Sequence, residues 1–173
     1  MKIQEAIAVI NQIQADGIIE RYATGGAVAA TFYLEPVATI DLEIFVLFKA
    51  NPNSLIINPQ PLYDYLIERG CTMEGEYVMI AGWPVQFLPP TGALVEEALE
   101  KAINLDIEGV PMQVFSAEHL ASIALQTGRA KDKARLLQFI EEGALDVEQF
   151  QSILIRHQLE EPWQRFEQQF LQG

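Results

Sequence analysis

The order of the predicted secondary-structure elements indicates a mixed α/β domain that ends in a helical tail. Isoleucines recur at helical spacing over residues 2–15, which predicts an amphipathic helix that stops at Gly17. Residues 38–48 are rich in β-branched and aromatic side chains, which predicts a strand. From residue 116 the pattern is helical almost to the end, with breaks predicted at Gly128, Gly143 and Pro162.

The elements between these landmarks are shorter. A short apolar helix is predicted after Gly25 and Gly26, and another helix over residues 61–69 ends at Gly70. A hairpin is predicted from residues 76–81 and 84–88, and a helix over residues 94–103 follows it. A second hairpin is predicted over residues 105–114. Because no internal repeat or long linker interrupts the chain, we expect one domain over residues 1–173. Its core is expected over about residues 20–115 and its C-terminal helices over about residues 116–171.

The composition excludes several classes of protein. Half of the residues are hydrophobic, and 24 Asp and Glu against 11 Lys and Arg give a net charge of −13. That charge opposes general coating of nucleic acid or of an anionic membrane. The longest uncharged span, residues 77–95, contains prolines and glycines that would break a membrane helix. The single cysteine, Cys71, excludes an intrachain disulfide and a thiolate zinc site, so we expect a soluble, cytoplasmic protein.

The first candidate for a functional site is the pair Gly25 and Gly26, which lies between a short strand and a predicted helix. Glycines at such a turn let backbone N–H groups approach a phosphate closely. The other interpretation is a tight turn that needs a positive φ. Because glycine pairs are common and phosphate loops are not, the pair by itself favours the turn.

The second candidate is the pair Asp41 and Glu43. Residues two apart on a strand share a face, so these carboxylates project together while Leu42 and Ile44 point to the other side. Two adjacent carboxylates repel each other unless a cation or a donor lies between them. A hard divalent cation such as Mg²⁺ is one interpretation, and the solvated face of a half-buried strand is the other.

The third candidate is the segment of residues 128–135, which holds four of the eleven basic residues. If a helix begins near Arg129, Lys131 and Arg135 lie one turn apart on one face. The residues then expected to face the core are Ala130, Ala134 and Leu137. Such cations can neutralise a triphosphate during transfer. The other interpretation is a solvated helix face, with Asp132 as a favourable charge near the N-terminus.

Together the three candidates resemble the signature of a known superfamily. Gly25-Gly26, fourteen further residues and then Asp41-x-Glu43 on a strand resemble the nucleotidyltransferase superfamily with the polymerase-β-type core. The later Arg129-x-Lys131-Asp132, with the text around it, resembles the toxin-like nucleotidyltransferases of bacterial abortive-infection systems. The resemblance covers about residues 20–150. It implies a mixed β-sheet flanked by helices, with a nucleotide site that binds a divalent metal.

The resemblance implies roles for the first two motifs. Gly25 and Gly26 would hold the phosphates of a nucleoside triphosphate, and Asp41 and Glu43 would ligate Mg²⁺ or Mn²⁺. Many members of the superfamily carry a third acid on a later strand, and the position that aligns best here is Gln86. A neutral amide adds no charge and cannot act as a base. This departure predicts activity that is weak, that uses a single metal, or that is absent.

The resemblance also implies roles for the basic segment. Lys131 and Asp132 match the later functional pair and would act in catalysis, while Lys131 and Arg129 would bind the nucleotide. The implied activity is transfer of a nucleotidyl group to an RNA, protein or small-molecule acceptor. The alternative is an inactive binding or regulatory module of the same fold, which would fit one half of a toxin–antitoxin-like pair with a small protein partner.

Other polar residues carry no functional prediction. His119 and His157 are far apart in the sequence and lack the spacing of metal ligands. Glu97 belongs to an acidic helix face that we expect to be solvated.

Overall fold

The computed structural model describes residues 2–36, 38–39, 41–49, 53 and 57–172. The strands over these residues are β1 (Arg21–Thr24), β2 (Leu42–Leu47), β3 (Thr72–Glu74), β4 (Tyr77–Ile80), β5 (Trp83–Leu88), β6 (Ile103–Ile107) and β7 (Val110–Val114). The helices are α1 (Ile3–Ala15), α2 (Gly26–Ala30), α3 (Gln60–Glu68), α4 (Ala93–Glu100), α5 (Ala117–Thr127), α6 (Ala130–Glu141), α7 (Val147–Arg156) and α8 (Glu160–Phe166). A π-helical turn, Glu167–Leu171, follows α8.

The strands form one mixed sheet in the order β3-β4-β5-β2-β1-β7-β6. β1 is antiparallel to β2 and parallel to β7, and β2 is parallel to β5. Both predicted hairpins form, as β4–β5 and β6–β7. The prediction of a mixed sheet flanked by helices is therefore confirmed. β1 and β2 lie at the centre of the sheet, which places the first two candidate motifs side by side.

The two faces of the sheet are covered by different helices. Ile44 belongs to the face that α1 and α3 cover, and Tyr22 on this face donates a hydrogen bond of 2.7 Å to Asn11 of α1. Glu43 and Phe45 belong to the opposite face, on the side of α2, α4 and α5. The alternation along β2 therefore directs the side chain of Glu43 towards the face that α2, α4 and α5 cover.

Some predicted boundaries are wrong. Pro162, predicted as a break, lies inside the first turn of α8, where the N–H that proline lacks has no intrahelical partner. The helix predicted over residues 94–103 ends at Glu100, because Ile103 begins β6. The strand predicted over residues 38–48 is shorter, and Ile40 lies outside the described residues. In the part of the chain that the structure describes, no helix is long and apolar enough to cross a membrane.

Three helices meet at the carboxylate of Glu97. Nε2 of His119 lies 2.8 Å from Oε2 of Glu97, and Arg156 donates to both carboxylate oxygens at 2.9 and 3.0 Å. Nε2 of His157 lies 3.2 Å from Oε2 of Glu97. Glu97 is therefore not part of a solvated face, and the two histidines that are distant in sequence share one partner. This cluster ties α7 to α4 and α5.

The environment of Glu97 also changes how it titrates. Burial alone would raise the pKa of Glu97, but the surrounding Arg156, His119 and His157 outweigh burial and lower the pKa to about 2. Burial lowers the pKa of His119, although the charge and hydrogen bond of Glu97 oppose that shift. Both groups therefore bind a proton less readily in the folded chain than in the unfolded chain.

We expect acid to destabilise the fold through this cluster. Because the folded pKa values are depressed, the contribution of His119 begins to fall below about pH 6.5, its ordinary pKa, and that of Glu97 falls between about pH 4.5 and pH 2. The Glu97 shift corresponds to about 3 kcal/mol of the free energy of unfolding. Urea denaturation at a series of pH values measures this loss.

The variant Glu97→Gln should be less stable at pH 7 and should lose the step between about pH 4.5 and pH 2. Glu96, an exposed neighbour of Glu97 on α4, provides the control. The variant Glu96→Gln should keep the acid sensitivity of the unaltered chain. An unchanged pH profile in Glu97→Gln would contradict the assignment.

Candidate functional site

The turn between β1 and α2 depends on the absence of side chains at Gly25 and Gly26. The N–H of Gly25 donates a hydrogen bond of 3.0 Å to the carbonyl of Glu43, which ties the turn to β2. A Cβ on Gly25 would come within 2.5 Å of the Phe45 ring and 3.1 Å of the Phe115 ring. Gly26 has a φ of +62°, and a Cβ there would overlap the carboxylate of Glu43. Both glycines are therefore required by packing, whatever the turn binds.

The carboxylates of Asp41 and Glu43 lie beside this turn. Asp41 directly precedes β2 and Glu43 is its second residue, and both are half-buried. Burial and the negative charge of Asp41 raise the pKa of Glu43, while the charges of Arg135, Lys131 and Arg129 oppose that shift. The two acids and the basic segment therefore lie within electrostatic reach of each other.

A cleft of about 430 Å³ separates α2 from the N-terminal half of α6. Its polar lining includes Asp41, Lys131 and Arg135, and its apolar lining includes Ala30 and Leu34. The structure thus brings Asp41 and two cations of the basic segment to one cleft, although they are far apart in the sequence. Glu43 does not line this cleft but lies within electrostatic reach of the same cations. Arg135, which the sequence places on one helix face with Lys131 but to which the family resemblance assigns no role, lines this cleft.

The orientation of α6 differs from the predicted one. Ala130 is exposed and Ala134 lines the cleft, so neither alanine faces the core as expected. The buried residues of α6 are Asp132, Leu136 and Phe139. Asp132 therefore lies on the buried side of the helix, which turns Lys131 and Arg135 towards the cleft.

The carboxylate of Asp132 caps the start of α6 and holds the side chain of Arg129. The carboxylate of Asp132 accepts hydrogen bonds from the backbone N–H of Arg129 at 3.2 Å and from its guanidinium at 2.7 and 3.3 Å. The side chain of Asp132 is 4% exposed and that of Arg129 is 58% exposed. The hydrogen bond with Asp132 raises the pKa of Arg129. This geometry gives both residues a structural function in α6, and their role in catalysis stays a prediction.

Gln86 lies next to Glu43, at the position where a third acid is expected from the family resemblance. The parallel pairing of β2 with β5 puts Gln86 directly opposite Glu43. Among the described residues, no three His, Cys, Asp or Glu side chains are placed to hold one metal ion. Asp41 and Glu43 offer the carboxylate oxygens that Mg²⁺ prefers, and their mutual repulsion suits a cation. Further ligands would have to come from water and from a substrate.

Two solved structures resemble this fold. An antigenic nucleotidyltransferase-like protein from Paracoccidioides brasiliensis aligns with a TM-score of 0.56 and 12% identity, over 81% of this chain and 74% of that chain. The protein ANT(2″)-Ia, in complex with adenylyl-2″-tobramycin, aligns with a TM-score of 0.50 and 14% identity, over 88% of this chain and 96% of that chain. No protein-family model and no curated protein matches the sequence. At these identities the likeness shows a nucleotidyltransferase-like fold, while the resemblance to abortive-infection toxins stays a prediction.

We expect Gly25→Ala to lower the free energy of unfolding by about 2 kcal/mol, because the new methyl group overlaps the Phe45 ring and crowds the Phe115 ring. Urea denaturation measures the loss. The substitution Phe45→Leu removes one of these rings, so the two substitutions together should cost less than the sum of their separate costs. Additive costs would show that the Phe45 ring is not what excludes a side chain at Gly25.

Proposed function

We propose that this protein binds a nucleoside triphosphate together with Mg²⁺ and transfers the nucleotidyl group to an acceptor. The observation that supports this most directly is the cleft in which Asp41 faces Lys131 and Arg135. Opposite charges on the two walls suit a metal–triphosphate complex, because the metal needs carboxylates and the phosphates need cations. The nucleotidyltransferase-like fold supports the same proposal.

The two acids and the two cations have distinct roles in this proposal. Asp41 and Glu43 would hold Mg²⁺ or Mn²⁺, which when bound stabilises the negative charge of the phosphates. Lys131 and Arg135, one helical turn apart, would hold the triphosphate from the opposite wall. Transfer to an in-line acceptor needs position and positive charge rather than a covalent nucleophile on the protein.

The acceptor class stays open between RNA, protein and a small molecule. An RNA acceptor requires that the basic segment face the acids, and Lys131 and Arg135 meet that condition. The solved neighbour that carries adenylyl-2″-tobramycin gives an example of a small acceptor on a similar fold.

Gln86 favours a second candidate function, a nucleotide-binding module without catalysis, because an amide cannot act as a base in place of a third acid. We place either function in the cytoplasm, because a chain with the single cysteine Cys71 does not depend on an oxidising compartment for an intrachain disulfide.

Calorimetric titration with each ribonucleoside triphosphate, with and without Mg²⁺, tests the proposal without a known acceptor. We expect Mg²⁺-dependent binding that is lost in Asp41→Ala and weakened about tenfold or more in Lys131→Ala or Arg135→Ala. Lys133→Ala is the matched control, because Lys133 belongs to α6 but lines a different hollow, next to Phe166. Binding that ignores both Mg²⁺ and Asp41→Ala, or no binding at all, would overturn the proposal.

A second substitution tests the position of Glu43. In Gly26→Ala the new methyl group must push the Glu43 carboxylate aside, so Mg²⁺-dependent binding should fall at least tenfold. Gly143→Ala is the control, since Gly143 has a similar φ of +64° with nothing within 4 Å of an added Cβ. Both variants should lose about 1–2 kcal/mol of stability from backbone strain, and only Gly26→Ala should lose binding. Equal binding in the two variants would contradict the role of Glu43.

A further inference from the structure

A carboxylate outside the predicted motifs lies next to the two acids. Glu76 is in the turn between β3 and β4, and its Oε2 accepts a hydrogen bond of 3.0 Å from Nε2 of Gln86. Gln86 in turn lies directly opposite Glu43 on the neighbouring strand. The amide at the expected third-acid position therefore fixes a carboxylate that comes from a different hairpin. An acid at position 86 would repel Glu76 instead of holding it.

The register of β4 brings a phenol to the same place. Val78 pairs with Val85, and one step further along this antiparallel ladder Tyr77 is opposite Gln86. Tyr77 therefore shares a face of the sheet with Gln86 and Glu43. Burial and the charges of Asp41 and Glu76 raise the pKa of Tyr77. Two carboxylates of this hairpin lie near Tyr77. Glu76 contacts Gln86, next to Glu43, whereas Glu74 lies opposite Tyr77 on β3, the edge strand that is further from β2.

The charges of the site are divided between its two sides. Lys131 and Arg135 lie on the wall formed by α6, whereas residues 70–100, which include β3, β4 and β5, contain no Lys, Arg or His. A triphosphate is therefore attracted to the α6 wall and repelled from Glu76. With the triphosphate held by the α6 wall, in-line transfer would put the acceptor on the opposite side, where Glu76 lies beside Gln86.

We propose that Glu76, positioned by Gln86, takes the proton of the acceptor during nucleotidyl transfer. This inference rests on the proposed function. As the acceptor oxygen forms its bond to the α-phosphorus, the bond from that phosphorus to the bridging oxygen breaks and pyrophosphate leaves with the electron pair. The acceptor proton passes to a carboxylate oxygen of Glu76. Because Glu76 is exposed, the proton then passes to solvent.

The test compares triphosphate binding with turnover, with water as the acceptor. Binding is measured by calorimetry in the presence of Mg²⁺, and turnover is measured as release of pyrophosphate and nucleoside monophosphate. In Glu76→Gln we expect about 100-fold slower release with binding unchanged within about twofold. The matched control is Glu74→Gln, an exposed glutamate two residues away in the same hairpin, which should keep the rate of the unaltered chain.

An exchange of the two groups separates a proton acceptor from a structural contact. The double variant Glu76→Gln with Gln86→Glu keeps one amide, one carboxylate and the net charge, and it returns an acid to the strand next to Glu43. We expect the double variant to release pyrophosphate at least tenfold faster than Glu76→Gln does. If Glu76 had only a structural role, the exchange would not restore the rate.

Several results would overturn the proposal. Pyrophosphate release at the normal rate in Glu76→Gln, or an equal loss in Glu74→Gln, would contradict a specific role of Glu76. Loss of binding in Glu76→Gln would show a ligand or folding role instead. Binding without any release in the unaltered chain would overturn this inference alone, and absence of Mg²⁺-dependent binding would overturn the proposed function with it.

Discussion

The contact between Glu43 and the Gly25-Gly26 turn is the constraint on which the rest of the site depends. A side chain at Gly26 would occupy the space of the Glu43 carboxylate, and a side chain at Gly25 would displace the ring of Phe45 and crowd that of Phe115. The turn can therefore lie flat against β2 only because both positions lack a Cβ. The close approach keeps Glu43 half-buried beside Asp41, and this burial is the main cause of its raised pKa.

The position of α6 is the second requirement of the site. The cap between Arg129 and Asp132 sets where α6 begins, and the burial of Asp132 sets which side of the helix faces the core. Lys131 and Arg135 follow from that orientation, because residues four apart share a face. A chain with a net charge of −13 thus presents two cations to the wall of the cleft that faces Asp41.

The helical tail is attached to the core by polar as well as apolar contacts. Glu97 of α4 binds His119 of α5 and Arg156 of α7, so one partly buried carboxylate connects three helices. α5 also packs against α6, which carries the basic wall of the cleft. The geometry of the cleft consequently depends on helices that contribute no residue to its lining, and acid that titrates Glu97 acts on the same helical layer.

The sequence by itself determined two kinds of feature, the buried face of a strand and the position of a turn. The alternation along β2 placed Asp41 and Glu43 apart from the buried Leu42 and Ile44, and turn residues marked both hairpins. Tertiary structure alone decided that Arg135 lines the cleft, that Gln86 holds Glu76, and that two distant histidines meet at Glu97. These contacts depend on strand order, on register and on the rotation of helices about their axes. The periodicity of one segment indicates which of its faces is buried, but the distant residue that lies opposite is decided by the packing of the whole core.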